Sequence, residues 1–137
     1  MTEPLERPVP LFPEPDTEPF WTATRLQELR YQRCDNCGRT VFYPRGRCPH
    51  CGSDRLRWLT SGGRGTIYTF TVIRRHSHPF FRARTPYVLA YVDLDEGFRI
   101  LTEVAADPDR VAIGQRVTLC WEDHETISVP MFRPDSG

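Results

Sequence analysis

The chain has 137 residues, with 18 arginines, no lysine and 18 acidic side chains, so its net charge is zero. That length suits one ordinary domain or two very small ones, and 13 prolines with 9 glycines argue for short elements and many turns rather than a helical bundle. No apolar run approaches the roughly 20 residues of a membrane span, and the acidic, proline-rich start lacks the basic and apolar regions of a signal peptide. A soluble, cytoplasmic protein is expected.

Residues 1–30 read as an arm and a helix. The first 15 hold five prolines and no periodic apolar pattern, which predicts an extended arm. Asp16-Thr-Glu-Pro-Phe-Trp21 has the capping side chain, acids and early proline of a helix start. Phe20, Ala23 and Leu26 or Gln27, with Leu29 beyond, trace a face to about Tyr31. Phe20 and Trp21 are more aromatic surface than one short helix leaves bare. They pack on the rest of the chain or dock a partner, since aromatics concentrate at interface hot spots.

Residues 31–61 carry two knuckles, Cys34-Asp-Asn-Cys37-Gly38 and, ten residues on, Cys48-Pro-His-Cys51-Gly52. Each CxxC turn brings two thiolates to one point, and the glycine accepts the backbone geometry that aims amide N–H groups at sulfur. Cys34, Cys37, Cys48 and Cys51 therefore close a tetrahedral shell around zinc, ahead of iron, with no open position for activating water. Nothing points to secretion, so disulfides fit less well, and the βαβ unit of a single redox CxxC is absent. The strand over Arg39–Pro44 is expected at the centre of this ribbon, which is too small to hold a core without metal. Cys120, in the strand-like run Val117–Trp121, reads as a buried apolar thiol.

Residues 62–134 change to short alternating strands: Gly65–Ile73, Pro86–Leu94, Phe98–Val104 after the tight turn Asp95-Glu-Gly97, Val117–Glu122 and Thr126–Phe132. Strict alternation puts Ile67, Thr69, Thr71 and Ile73 on one face of the first strand and Tyr68, Phe70 and Val72 on the other. Asp107–Gly114 has room for one helical turn. Five strands with a break after the third predict an OB-type barrel. The fold class is mostly β: an N-terminal helix, a zinc ribbon, then a five-stranded OB-type barrel.

Charge is unevenly spread. Residues 1–29 sum to −4, residues 30–84 to +10 and residues 85–137 to −6. The basic middle either binds a polyanion or pairs with the chain's own acidic third. Its densest part is the loop between the first two barrel strands, Arg74-Arg75-His76-Ser-His78-Pro-Phe80-Phe81-Arg82-Ala-Arg84, at the place where OB folds border their ligands.

The ordered series of stretches resembles one family. They are Phe20-Trp21, Leu29–Gly38, Tyr43-Pro-Arg45, Cys48–Gly52, Gly65–Val72, Pro86–Val88, Leu94–Arg99, Ile113-Gly114 and Pro130–Phe132. The chain is similar, over roughly residues 18 to 134, to small bacterial and archaeal proteins that join a rubredoxin-like zinc ribbon to an OB fold, first filed as a domain of unknown function. The resemblance implies an accessory partner of thiolase-like enzymes in acyl-CoA metabolism that carries no chemistry itself. Some members bridge a thiolase and a hydroxymethylglutaryl-CoA synthase. Others pair with a lipid-transfer-protein-like thiolase homologue as a retro-aldol lyase on steroid side-chain CoA thioesters. The domain also occurs as the tail of a MaoC-like hydratase subunit, so a tail and a free-standing homologue both stay open.

On this reading nucleophile and base come from the partner. Arg74, Arg75, Arg82 and Arg84, with His76 and His78, face CoA phosphates or the partner, and Phe80 and Phe81 line the acyl path or the interface. The alternative is single-stranded nucleic-acid binding, with Tyr68, Phe70, Tyr87 and Tyr91 as stacking platforms. Asp93, Asp95, Glu96 and Glu103, near the face that would meet phosphate, count against it, so it ranks second.

Overall fold

The computed structural model describes residues 6–9 and 14–135, so most of the expected arm lies outside the described residues. The elements run α1 (Glu18–Thr24), β1 (Arg30–Cys34), β2 (Thr40–Val41), β3 (Leu56–Thr60), β4 (Arg64–Ile73), α2 (Pro79–Arg84), β5 (Tyr87–Leu94), β6 (Arg99–Val104), β7 (Arg116–Asp123) and β8 (Ser128–Pro134).

Helix α1 is shorter than its apolar spacing suggests. It ends at Thr24, whose hydroxyl bonds back to the Trp21 carbonyl, and the chain turns through Gln27 at φ 56°. From Arg30 the chain is extended, because five consecutive residues pair with β3. Leu29 and Tyr31 are still buried, as strand-side rather than helix-side residues. The helix start also lacks the expected cap: no side chain of Thr17 bonds the first turn. In the ribbon sheet the order is β2-β1-β3, so the central strand is β1. The stretch Arg39–Pro44 supplies only the two-residue edge strand β2, paired at Gln32–Val41 and Arg33–Thr40.

Strands β4-β5-β6-β8-β7 close a barrel, sealed by β4 against β7. All neighbours are antiparallel except β6 and β8, and the expected break after the third barrel strand falls at 105–115, between β6 and β7. Ile67, Val88, Val92, Val104, Val117 and Phe132 are almost completely buried inside it. The alternation of β4 is interrupted. Ile67 pairs with Val92 and Thr69 with Tyr91, so Tyr68 is an extra, bulged residue. The bulge flips the faces: Ile67 points inward before it, and Phe70 packs on the core after it. The segment 107–114 forms successive turns and no helix. The loop after β4 is more ordered than its composition suggests, because His78 accepts a hydrogen bond from Phe80 N–H and starts α2.

Ribbon and barrel share one core through an aromatic seam. Tyr31 stacks on Phe98 with centroids 4.7 Å apart, Phe42 lies 5.0 Å from Phe98, and Phe20 lies 5.8 Å from Phe42. The Thr40 hydroxyl donates to the Gly97 carbonyl, and Leu101 N–H donates to the Tyr43 hydroxyl. Glu96 holds the linker by accepting from the Ser61 hydroxyl and Gly62 N–H.

Gly65 marks the closest approach of two strands. A Cβ there would sit 2.6 Å from the Asp93 carbonyl oxygen and 2.8 Å from Val92 Cγ1. Gly65→Ala is expected to destabilise the chain by about 1–3 kcal/mol, the usual cost of overpacking, in a urea melt. An unchanged midpoint would show that β4 and β5 part freely at this point.

Candidate functional site

Four thiols meet at the tip of the ribbon. The Sγ atoms of Cys34, Cys37, Cys48 and Cys51 all lie within 4.8 Å of one another, with Cys34···Cys51 at 3.6 Å and Cys37···Cys48 at 3.7 Å. Zinc–sulfur bonds of about 2.3 Å in a tetrahedron put sulfurs about 3.8 Å apart, so the quartet fits the ion. Both knuckles are built as their sequence requires. Gly38 and Gly52 adopt φ of 78° and 79°, and their N–H groups return to the carbonyls of Cys34 and Cys48 at 2.8 Å. Cys37 N–H points at Cys34 Sγ and His50 N–H at Cys48 Sγ. The Asn36 amide donates to Cys51 Sγ and is the main influence that lowers that thiol, favouring the thiolate form that binds metal. The four cysteines are the ligands of a structural zinc ion, with His50 beside the set. Cys120 lies apart on β7, half-buried, its thiol pushed up by burial.

A second feature lies where α1, the ribbon and the barrel converge. It is an apolar cleft of about 360 Å³ walled by Trp21, Tyr43, Phe81, Leu89, Leu101 and Met131. Phe20 is 4% exposed and belongs to the core. The expectation that it docks a partner is corrected: its ring already packs against Trp21 and Phe42. Trp21, half-buried, keeps a face on the cleft.

At the α2 end of the cleft stands a four-charge cluster. Arg7 Nε donates to Glu122 Oε1 at 2.5 Å, and its Nη2 reaches Glu103. Arg84 donates to both Glu122 and Glu103. The Phe80 ring lies under both guanidiniums, 4.9 Å from Arg7 and 5.0 Å from Arg84. Burial alone would push the Glu122 carboxyl up, but the hydrogen bonds from Arg7 and His124 and the nearby charges of Arg7 and Arg84 bring it down to about 2.

The loop residues singled out by sequence thus divide. Arg84 and Phe80 are taken up in the cluster, His78 caps α2, and the His76 ring packs at a tilt against Phe81 with centroids 4.8 Å apart. Phe81 lines the cleft. Arg74, Arg75 and Arg82 are exposed, with side chains that make no hydrogen bond or ion pair among the described residues. Among the described residues, Arg30, Arg57 and Arg84 are the only arginines of the twelve in residues 30–84 that form an ion pair, and Arg84 alone of them pairs with the acidic last third. Among the described residues, most arginines of the basic middle form no ion pair with the acidic end.

Comparison with known proteins agrees with this architecture. Residues 21–57 match the family model of the ChsH2 rubredoxin-like zinc ribbon domain, and residues 58–122 match that of the ChsH2 C-terminal OB-fold domain. The chain is 38% identical over 125 residues to the 3-oxo-4,17-pregnadiene-20-carboxyl-CoA hydratase alpha subunit of Mycobacterium tuberculosis, covering 88% of this chain and 38% of that subunit. It spans about two fifths of the curated hydratase alpha subunits it matches. It is 30% identical over 94 residues to the benzoylsuccinyl-CoA thiolase subunit BbsA of Geobacter metallireducens, covering 69% of this chain and 62% of that one. Among solved structures, a chain of the Ltp2-ChsH2(DUF35) aldolase superposes with a TM-score of 0.82 at 34% identity, over 92% of this chain and 98% of that one. Ribbon and barrel are matched in order and almost end to end, and the chain belongs to the DUF35 family of ChsH2-type zinc-ribbon and OB-fold proteins.

Proposed function

We propose that this chain is a non-catalytic accessory subunit of a thiolase-like, lipid-transfer-protein-like enzyme. The reaction it supports is retro-aldol C–C cleavage of a steroid side-chain CoA thioester. The observation that carries this reading is the near full-length superposition on a chain of the Ltp2-ChsH2(DUF35) aldolase. The similarity to a thiolase subunit supports the class of partner, and the similarity to a pregnadiene-carboxyl-CoA hydratase subunit supports a steroid thioester and a MaoC-like hydratase as neighbour. The zinc holds the ribbon, the partner supplies nucleophile and base, and this chain orients and encloses the thioester. Arg74, Arg75 and Arg82 meet the CoA phosphates, each as a charge-assisted contact.

Two measurements test this. The tagged chain, expressed in its native host, is expected to co-purify in stoichiometric amount with a thiolase-like protein. The reconstituted pair is expected to cleave a β-hydroxy steroid side-chain CoA thioester to a ketone and a shorter acyl-CoA. A partner that works equally fast alone, or nuclease-sensitive nucleic acid as the sole companion, would overturn the reading. In the pair, replacing Arg74, Arg75 and Arg82 together with Ala is expected to raise KM for the thioester about tenfold or more with kcat within about twofold. Unchanged KM would remove the arginines from the site.

A further inference from the structure

The described part of the N-terminal arm meets the barrel through Arg7. Residues 6–9 run as coil with Glu6 and Pro8 exposed, yet the Arg7 side chain is only 11% exposed. Its Nε and Nη2 donate to the two oxygens of Glu122 at 2.5 and 3.4 Å, and Nη2 also reaches Glu103 Oε1 at 3.4 Å. The guanidinium carbon lies 4.9 Å from the centroid of the Phe80 ring and 5.1 Å from that of Phe81. These four receiving residues stand on β6, β7 and α2, so the folded barrel builds the socket and the arm only fills it.

The socket's chemistry selects one kind of cation. Two carboxylates face two arginines: Arg84, fixed on α2, answers one negative charge and Arg7 the other. A guanidinium reaches both carboxylates with separate nitrogens while its carbon stays over the rings. A lysine ammonium is a single point charge and does not do both. The contact is also built to open. When Arg7 leaves, Arg84 and His124 still bond the carboxylates, so release costs less than breaking an isolated buried pair. The place left suits another guanidinium. We propose that Glu103, Glu122, Phe80 and Phe81 form an arginine socket that latches the N-terminal arm, and that the latch exchanges, an arginine side chain from outside displacing Arg7. Arg7 is also part of the wall of the apolar cleft, so its departure widens the cleft at the α2 end.

The test uses the zinc-loaded full chain and a protease that cuts after glutamate. Glu3, Glu14 and Glu18 each precede proline, which leaves Glu6–Arg7 as the bond that reports on the arm. Arg7→Ala and Arg7→Lys are both expected to speed its cleavage about tenfold or more, because the bond must leave the barrel to enter the protease. N-acetylarginine amide at about 50 mM, above the millimolar effective concentration of a tethered side chain, is expected to speed cleavage of the parent several-fold. N-acetyllysine amide is expected to leave it unchanged, and a small glutamyl substrate corrects for effects on the protease itself. In Arg7→Ala, N-acetylarginine amide is expected to bind at least about tenfold tighter than N-acetyllysine amide, read from amide chemical shifts in β6, β7 and α2. Adding Glu122→Gln to that variant is expected to remove the preference, and zinc content with a thermal melt checks each fold. Equal cleavage of parent and Arg7→Ala, or an arginine analogue that binds no better than the lysine one, overturns the proposal. Faster cleavage of Arg7→Ala with no response of the parent to the arginine analogue makes the arm a fixed strap and overturns the exchange. None of these readouts needs a partner enzyme, so the outcome is independent of the accessory-subunit reading.

Discussion

Cys48→Ser is expected to lower bound zinc from about one ion per chain to near zero and to unfold the ribbon. Apart from its metal, the ribbon tip is held by little: Cys34, Val41 and Cys48 are buried together with Leu56 against them, a cluster far too small to offset the ordering of some thirty residues. Binding free energy at such a site is folding free energy, because the four thiolates converge only when both knuckles are formed. The loss does not stop at the ribbon. Tyr31 and Phe42 stand on ribbon segments and pack on Phe98 of the barrel, so their release exposes the barrel's end. A destabilisation of several kcal/mol follows, against a total stability of roughly 5–15 kcal/mol for a domain. Metal analysis and a thermal melt on the same sample read both effects, and Cys120→Ser, outside the quartet, serves as the control that keeps its zinc. A zinc-free variant that melts within about 2 °C of the parent would show that packing alone holds the ribbon.

The metal centre was open to sequence reasoning because its signal is local: two CxxC-Gly knuckles specify both ligands and turns within a few residues. Barrel topology was legible for a similar reason, since short alternating runs and the Asp95-Glu-Gly97 turn set strands and a hairpin that the structure pairs at Tyr91–Leu101 and its neighbours. Alternation failed where one residue was added. The bulge at Tyr68 moves Phe70 to the inner face, and no residue type announces it. The helix over-run to Tyr31 has another cause. Leu29 and Tyr31 suit a helix face and a strand face equally, and pairing with the distant β3 decides the matter. The cleft and its charge cluster were illegible for the same physical reason. Arg7 meets Glu103 and Glu122 across 96 and 115 residues, and Arg84 meets them across 19 and 38. Sequence placed Arg84 in the right loop without showing that its fork was already engaged.

That engagement makes Arg84 the second position with a large expected effect. Removing one partner from a buried ion pair costs about 3–5 kcal/mol, because a carboxylate is left desolvated without its counter-charge. Here Glu103 is 11% and Glu122 20% exposed, and Arg7 remains beside both, so Arg84→Ala is expected to cost less, about 2–3 kcal/mol. The pH dependence identifies the mechanism. Glu122 has a carboxyl lowered from 4.5 to about 2 in the folded chain, so between those values the unfolded chain binds the proton and the folded chain does not. The cluster's contribution is therefore complete above about pH 4.5 and is lost as the pH falls toward 2, amounting to about 1–2 kcal/mol after solvent screening. Loss of Arg84 removes one of the charges that hold this carboxyl down, leaving Arg7 and His124. The acid unfolding midpoint of Arg84→Ala is then expected at higher pH than that of the parent. Arg84→Ala with Glu122→Gln is expected to recover part of the lost stability at neutral pH, since the amide needs no counter-ion. Equal losses at pH 7 and pH 3, with no recovery in the double variant, would mean that Arg84 acts through its stem packed on Phe80 rather than through its charge.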